Sequence, residues 1–139
     1  MKINKQELYI KKKIYYKHIR LLNIYYFLSR KTKINDVSKL FHTFSYENHR
    51  YAEGIKAILA NDNLSLSFLM QIYHQMDSQG VGLSAFFLGN TFLKYYLKRK
   101  EKEIIKLITL LPNDNTLFDE IKKCSEIHIE KIDSFVRIK

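Results

Sequence analysis

The chain has 139 residues, 46% of them hydrophobic and 27% charged, and it contains only four glycines and one proline. A chain of this length buries about two-thirds of its unfolded surface, so a single domain over residues 1–139 can form a sizeable core. The composition excludes collagen-like, disordered and disulfide-knotted proteins, and the scarcity of glycine and proline argues against a sheet with many tight turns. We therefore expect an all-α fold, a compact bundle of about six helices.

Positive charge is concentrated near the N-terminus. The net charge is +10, and residues 1–33 contain ten lysines and arginines but only one carboxylate, Glu7. The remainder, residues 34–139, is nearly neutral. A concentrated positive field attracts nucleic-acid phosphates, anionic lipids or an acidic protein surface. A solvated cationic face that promotes solubility explains the same charge equally well.

Cys124 is the only cysteine, which excludes an intramolecular disulfide and a zinc site built from several cysteines of one chain. The N-terminal segment lacks the uninterrupted apolar run of a secretory signal. The apolar stretch over residues 83–93 is too short for a transmembrane segment. We expect a cytoplasmic protein with no cofactor and no bound metal.

The first predicted element is an amphipathic helix over about residues 5–29. Asn4 followed three residues later by Glu7 is typical of a helix start. Apolar residues repeat at helical spacing along one side of this basic helix. The opposite side carries a cationic stripe formed by Lys13, Lys17, Arg20 and Lys31.

The next segment has the pattern of two helices joined by a turn. Asp36 is placed to cap a short helix that ends near Phe41, and residues 42–44 serve as the turn. Ser45 is placed to cap a longer helix over residues 46–60.

The second half of the chain predicts further helices. The segment over residues 64–77 has the spacing of a helix. A short β-hairpin within 64–88 is an alternative, because apolar and polar residues alternate at the start of this segment. The run over 83–111 predicts the longest helix, ended by Pro112, and a last helix begins at Thr116. The expected buried side of this last helix consists of Phe118, Ile121, Ile127, Ile129 and Ile132.

The segment from residue 21 to residue 60 has the helix lengths and apolar spacing of a tri-helical helix-turn-helix. In that motif the third helix presents its N-terminal side chains to the major groove of DNA. The residues expected to face bases are Tyr46, Asn48, His49 and Arg50. The residues expected to bind phosphates are Arg30, Lys31, Lys33 and Lys39, assisted by Lys13, Lys17 and Arg20 of the first helix. Two ordinary bundle helices explain the same pattern without DNA.

Tyrosines interleaved with cations also suit single-stranded nucleic acid, because exposed rings stack on bases beside a basic track.

Catalytic signatures are weaker. His49 and Glu53 are one turn apart and could share a metal, but the Glu-x-x-His pattern of helical metal sites is absent, as is a glycine-rich phosphate loop.

These observations predict a small nucleic-acid-binding protein, with DNA more strongly indicated than RNA, acting as a regulator or accessory factor without catalysis. The alternative is a helical adaptor or inhibitor whose cationic helix docks on an acidic partner surface, with a homodimer as one form. Binding to an anionic membrane surface ranks third.

Overall fold

The computed structural model describes residues 4–61, 70–71, 73–74, 77, 84, 87, 89–112 and 115–138. Within these ranges the chain contains four long helices and no strand: α1 (Lys5–Lys31), α2 (Asn35–Asn61), α3 (Asn90–Thr109) and α4 (Thr116–Ser134). The predicted all-α class is confirmed. About six helices were predicted for the whole chain, and the described residues contain four long ones. Most of the segment predicted as a helix over 64–77, or as a hairpin within 64–88, lies outside the described residues.

Helix α1 begins where the sequence predicts. The side chain of Asn4 accepts hydrogen bonds from the backbone N–H groups of Gln6 (3.0 Å) and Glu7 (3.4 Å). These two donors have no partner inside the helix, so the asparagine satisfies them. The apolar side predicted from the sequence is buried in the core, and the helix extends two residues beyond the predicted end.

Helix α2 corrects the prediction of a helix-turn-helix, because residues 35–61 form one continuous helix. The expected turn at 42–44 has no glycine or proline, and Phe41 and Phe44 continue a single buried stripe across it. Thr43 donates its hydroxyl to the Lys39 carbonyl (3.1 Å). Ser45 is not a cap either: its hydroxyl donates to the Leu22 carbonyl (2.8 Å), which ties α2 to α1.

The four helices form a bundle in which each helix packs against two others. The contacting pairs are α1 with α2, α3 with α4, α1 with α3, and α2 with α4. Helices α2 and α4 run in opposite directions. Gly54, near the end of α2, lies against Leu117 at the start of α4, whereas Phe41, near the start of α2, lies against Phe135 just after the end of α4. The helices therefore alternate in direction around the bundle, so that α2 and α3 are parallel.

The end of α3 and the start of α4 fall where the sequence predicts, but the start of α3 does not. A helix over 83–111, the longest of the chain, was predicted, whereas α3 begins at Asn90 after the extended Gly89 and has 20 residues against 27 in α1 and in α2. The helical conformation stops at Thr109, three residues before Pro112, and Asn115 caps α4 by accepting from the Leu117 N–H (2.9 Å). The predicted buried side of α4 is wrong at two positions, because Ile127 is 48% exposed and Ile129 is only half-buried. The buried stripe instead runs through Phe118, Ile121, Ser125, His128 and Ile132.

No helix in the described part of the chain combines the length and apolar content that a bilayer crossing requires.

The continuity of α2 can be tested with proline. Thr43→Pro would remove a backbone hydrogen bond in the middle of a helix and clash with the preceding turn, so we expect a loss of about 3 kcal/mol or more of unfolding free energy. Asn35→Pro is the control, because a proline is tolerated at the first position of a helix. Chemical denaturation measures both. Equal stability of the two variants would support a turn at residues 42–44.

Candidate functional site

Polar side chains from all four helices meet in the middle of the bundle. Tyr25 comes from α1, Glu47 from α2, Glu101 from α3, and Cys124 and His128 from α4. We call these five residues the polar core cluster. Glu101 is 1% exposed and His128 3% exposed, and carboxylates and imidazoles are rarely so deeply buried without charged or hydrogen-bonding partners.

Glu101 accepts two hydrogen bonds at one carboxylate oxygen. The Tyr25 hydroxyl donates to Oε1 at 2.7 Å, and His128 Nδ1–H donates to the same atom at 2.9 Å. The His128 ring is stacked on Phe44 with centroids 3.9 Å apart, which holds it in this orientation. The buried carboxylate of α3 is therefore matched by donors from α1 and α4.

The other nitrogen of His128 faces Glu47 and Cys124. His128 Nε2–H donates to Glu47 Oε2 at 2.7 Å, and the Cys124 thiol donates to the same oxygen at 2.8 Å. Cys124 Sγ lies 3.3 Å from His128 Nε2, because residues four apart share one face of a helix. The sulfur, nitrogen and oxygen atoms thus form a small triangle. The Glu47 edge of this triangle is partly open to solvent, since its side chain is 28% exposed.

The charges of the cluster follow from these contacts. Burial opposes protonation of His128, but its hydrogen bonds with Cys124, Glu101 and Glu47 outweigh burial and raise its pKa to about 11. The hydrogen bond from His128 lowers the pKa of Glu47. Burial raises the pKa of the Cys124 thiol. At neutral pH the cluster therefore holds an imidazolium, an ionised Glu47 and a protonated thiol.

The order Cys124, His128, Glu101 resembles that of a nucleophile, a base and an orienting carboxylate. Two observations oppose this chemistry. Nucleophilic cysteines have lowered pKa values, whereas burial raises that of Cys124. In addition, the ring nitrogen that would take the thiol proton already donates to Glu47.

A metal ion is a better match for the triangle, because a bound cation displaces both the thiol proton and the Nε2 proton. Glu47, Cys124 and His128 each offer one ligand atom, and these atoms lie within 4.8 Å of one another. Sulfur, imidazole nitrogen and carboxylate oxygen are the three donor types that zinc takes in proteins.

A second buried pair lies between α1 and α2. His18 Nδ1–H donates to Asn48 Oδ1 (2.7 Å), and Asn48 Nδ2–H donates to the Phe44 carbonyl (2.8 Å). Both side chains are 2% exposed. Asn48 was expected to read a base, and this expectation is wrong because its side chain is buried and its amide oxygen and nitrogen are both hydrogen-bonded inside the core.

The cations predicted on α1 have partners of their own. Lys17 pairs with Glu103 (2.8 Å), and Arg20 forms an ion pair with Asp77. Lys13 lies over the ring of Tyr9 (5.7 Å). Lys13 and Lys17 lie in the N-terminal half of α1 and Arg20 near its middle, so the structure does not gather all predicted site residues in one place.

The other predicted residues are exposed on α1, on α2 or on the connection between them: Arg30, Lys31, Lys33, Lys39, Tyr46, His49 and Arg50. Arg30, Lys39, Tyr46 and His49 line grooves between the two helices. Arg50 instead stacks on Tyr51 and donates to its hydroxyl (3.3 Å).

The sequence analysis missed the polar core cluster. Its signal is present in the sequence: Glu101 interrupts the apolar stripe of Leu93, Leu97, Ile104 and Ile108, and His128 interrupts the stripe of α4. A charged residue at a buried helical position requires a partner. Cys124 lies one turn before His128, so the two side chains share the buried face of α4.

The ion pairs of His128 predict a large stability effect. His128→Gln would leave Glu101 buried without a cation, so we expect a loss of about 3–5 kcal/mol of unfolding free energy at pH 6. His49→Gln, which removes an exposed histidine, is the control and should change stability by about 0.5 kcal/mol or less. Urea denaturation in the presence of a chelator measures both.

A comparison of the wild type with His128→Gln at several pH values tests the protonation state of His128. Folding raises its pKa from 6.5 to about 11, so its stabilisation is fully present below pH 6.5 and falls as pH rises toward 11. The pKa of Glu47 is lowered, so its contribution is lost only as pH falls through that lowered value. The difference between wild type and His128→Gln should therefore shrink from pH 6.5 to pH 9. A constant difference over this range would mean that folded His128 is neutral.

Comparison of the chain with protein-family models, with curated proteins and with solved structures finds no match. Its function therefore has to be argued from the geometry of the chain.

Proposed function

We propose that this protein binds a divalent transition-metal ion through Cys124, His128 and Glu47, and that zinc is the preferred ion. The observation that carries the proposal is the convergence of three different donor atoms, from two facing helices, around one point. Four-helix bundles build metal sites in this way, from core side chains on facing helices.

The distances fit a metal with a small adjustment. Zinc bonds of about 2.0–2.3 Å at tetrahedral angles separate the ligand atoms by about 3.3–3.6 Å. Cys124 Sγ and His128 Nε2 are already 3.3 Å apart. Glu47 Oε2 lies 2.7 Å from this nitrogen and 2.8 Å from the sulfur, so it would retreat by about 1 Å or less. The partial exposure of Glu47 gives it room to move.

The surroundings of His128 also support the proposal. Histidines that bind metals almost always donate their other ring N–H to a carboxylate or carbonyl, which orients the ring. Here His128 Nδ1–H donates to Glu101, which is itself held by the Tyr25 hydroxyl. The nitrogen Nε2 therefore faces the proposed metal position in a fixed orientation.

The three ligand atoms favour metal ions of intermediate hardness. A thiolate and an imidazole select zinc, cobalt or ferrous iron over magnesium and calcium, which prefer oxygen ligands alone. Three protein donors leave a fourth position for water or a small ligand, on the partly exposed Glu47 side. Binding would release the thiol proton and the Nε2 proton, so the affinity should fall as pH is lowered.

This proposal replaces the expectation of no bound metal. That expectation considered only His49 with Glu53 and sites made of several cysteines. It did not consider a mixed set of ligands from α2 and α4.

Cobalt titration tests the site directly. We expect chelator-treated protein to bind one Co²⁺ per chain, with a near-ultraviolet absorption band from thiolate-to-cobalt charge transfer. Cys124→Ser should abolish this band. Glu101→Gln should keep the band but weaken binding by about 10–100-fold, because it alters only the partner of the histidine ligand.

Glu53→Gln is the matched control, since Glu53 is an exposed carboxylate on the same helix as Glu47. Its cobalt affinity should equal that of the wild type. Equally tight cobalt binding by the Cys124→Ser variant, or binding without a sulfur band, would contradict the proposed site.

A further inference from the structure

A shallow groove runs along the outer surface between α1 and α2. Two adjoining depressions form it, and both are lined by Tyr26 and His42. We call it the α1–α2 groove. Its other functional side chains are Arg30 of α1 and Lys39, Tyr46 and His49 of α2.

Three serines shape the floor of this groove. The hydroxyls of Ser29, Ser38 and Ser45 donate to backbone carbonyls of α1 at Tyr26 (2.7 Å), Ser29 (2.5 Å) and Leu22 (2.8 Å). These small side chains leave space above the floor, and their hydrogen bonds are already used. Larger side chains on either side therefore form the walls.

Two tyrosine rings stand in these walls. Tyr46 is 65% exposed and Tyr26 is 47% exposed, whereas Tyr15 and Tyr25 of the same bundle are buried. The rings of Tyr26 and Tyr46 therefore offer surface to the solvent on which a flat partner can stack.

The charge of the α1–α2 groove has one sign. Arg30 and Lys39 line one end, and the Arg30 guanidinium lies 5.8 Å from the centre of the Tyr26 ring. His42 and His49 are exposed hydrogen-bond donors along the same line. None of the described residues that line the groove is acidic, and exposed Lys31 and Lys33 lie at the connection between the two helices.

We infer that the α1–α2 groove binds single-stranded nucleic acid, with bases stacked on Tyr26 and Tyr46 and phosphates bound by Arg30 and Lys39. Proteins that bind single strands combine a cationic track with exposed rings, and the bases must be unpaired to stack on them. The continuity of α2 and the burial of Asn48 remove the helix-turn-helix and one of its base-reading residues, on which the predicted recognition of duplex DNA was based.

The inference does not rest on the metal proposal. Glu47 and Tyr46 are adjacent in α2, yet Glu47 contacts His128 inside the bundle while Tyr46 lies on the outside. Successive residues of a helix point about 100° apart, so one helix serves both places. Binding by the α1–α2 groove can therefore be measured on protein kept free of metal by a chelator.

Fluorescence anisotropy with labelled oligothymidylate and oligouridylate tests the inference. We expect Tyr26→Ala and Tyr46→Ala each to weaken binding by about fivefold or more, as loss of one stacked base does. Tyr95→Ala is the matched control, because Tyr95 is a comparably exposed tyrosine on α3. It should bind as the wild type does.

A charge-matched pair tests the phosphate contacts. Arg30→Gln should reduce the slope of log affinity against log salt by about 0.7, the value for one phosphate of a single strand. Lys102→Gln removes the same charge from an exposed site on α3 and should leave the slope unchanged.

Three results would overturn the inference. The first is equal binding by the groove and control variants, which would indicate general attraction to a protein of charge +10. The second is duplex DNA binding as tightly as single strands. The third is polyglutamate or anionic vesicles competing as well as an oligonucleotide of equal charge, which would indicate an acidic protein or a membrane as the partner.

Discussion

The burial of one carboxylate constrains the whole bundle. Glu101 is almost inaccessible to solvent, and a buried carboxylate without partners would destabilise the fold by several kcal/mol. Its partners come from two other helices, Tyr25 of α1 and His128 of α4, and His128 in turn binds Glu47 of α2. A shift of any one helix would therefore break a hydrogen bond to a buried charge. Apolar packing favours a compact bundle, whereas this cluster selects one register among its four helices.

Stability alone does not require these buried charges. A buried ion pair can often be replaced by well-packed apolar residues of similar volume with no loss of stability. Here the imidazolium occupies a position where a thiol and a carboxylate also converge, and the opposite nitrogen is held by a second carboxylate. If one metal ion replaced the thiol proton of Cys124 and the Nε2 proton of His128, each of these side chains would still have a partner. This is the physical reason for preferring a metal site to a structural ion pair or an activated cysteine.

The sequence predicts much of the fold and little of the site. Periodic apolar residues and helix-start signals such as Asn4 act locally, so the helical class and the start of α1 could be predicted, and α4 begins at Thr116 as expected. The turn at residues 42–44 was a wrong prediction because capping residues such as Ser45 also occur inside helices, where tertiary packing decides. Glu47, Glu101 and His128 are 54 and 27 residues apart in sequence. Their convergence depends on the packing of α2, α3 and α4, which periodicity within one helix does not specify.

The most direct test of the central claim is X-ray absorption at the zinc edge on protein loaded with one equivalent of Zn²⁺. A site formed by Cys124, His128 and Glu47 predicts one sulfur neighbour at about 2.3 Å and two or three nitrogen or oxygen neighbours at about 2.0–2.2 Å. A spectrum with nitrogen and oxygen neighbours alone would place the zinc elsewhere on the protein and contradict the account.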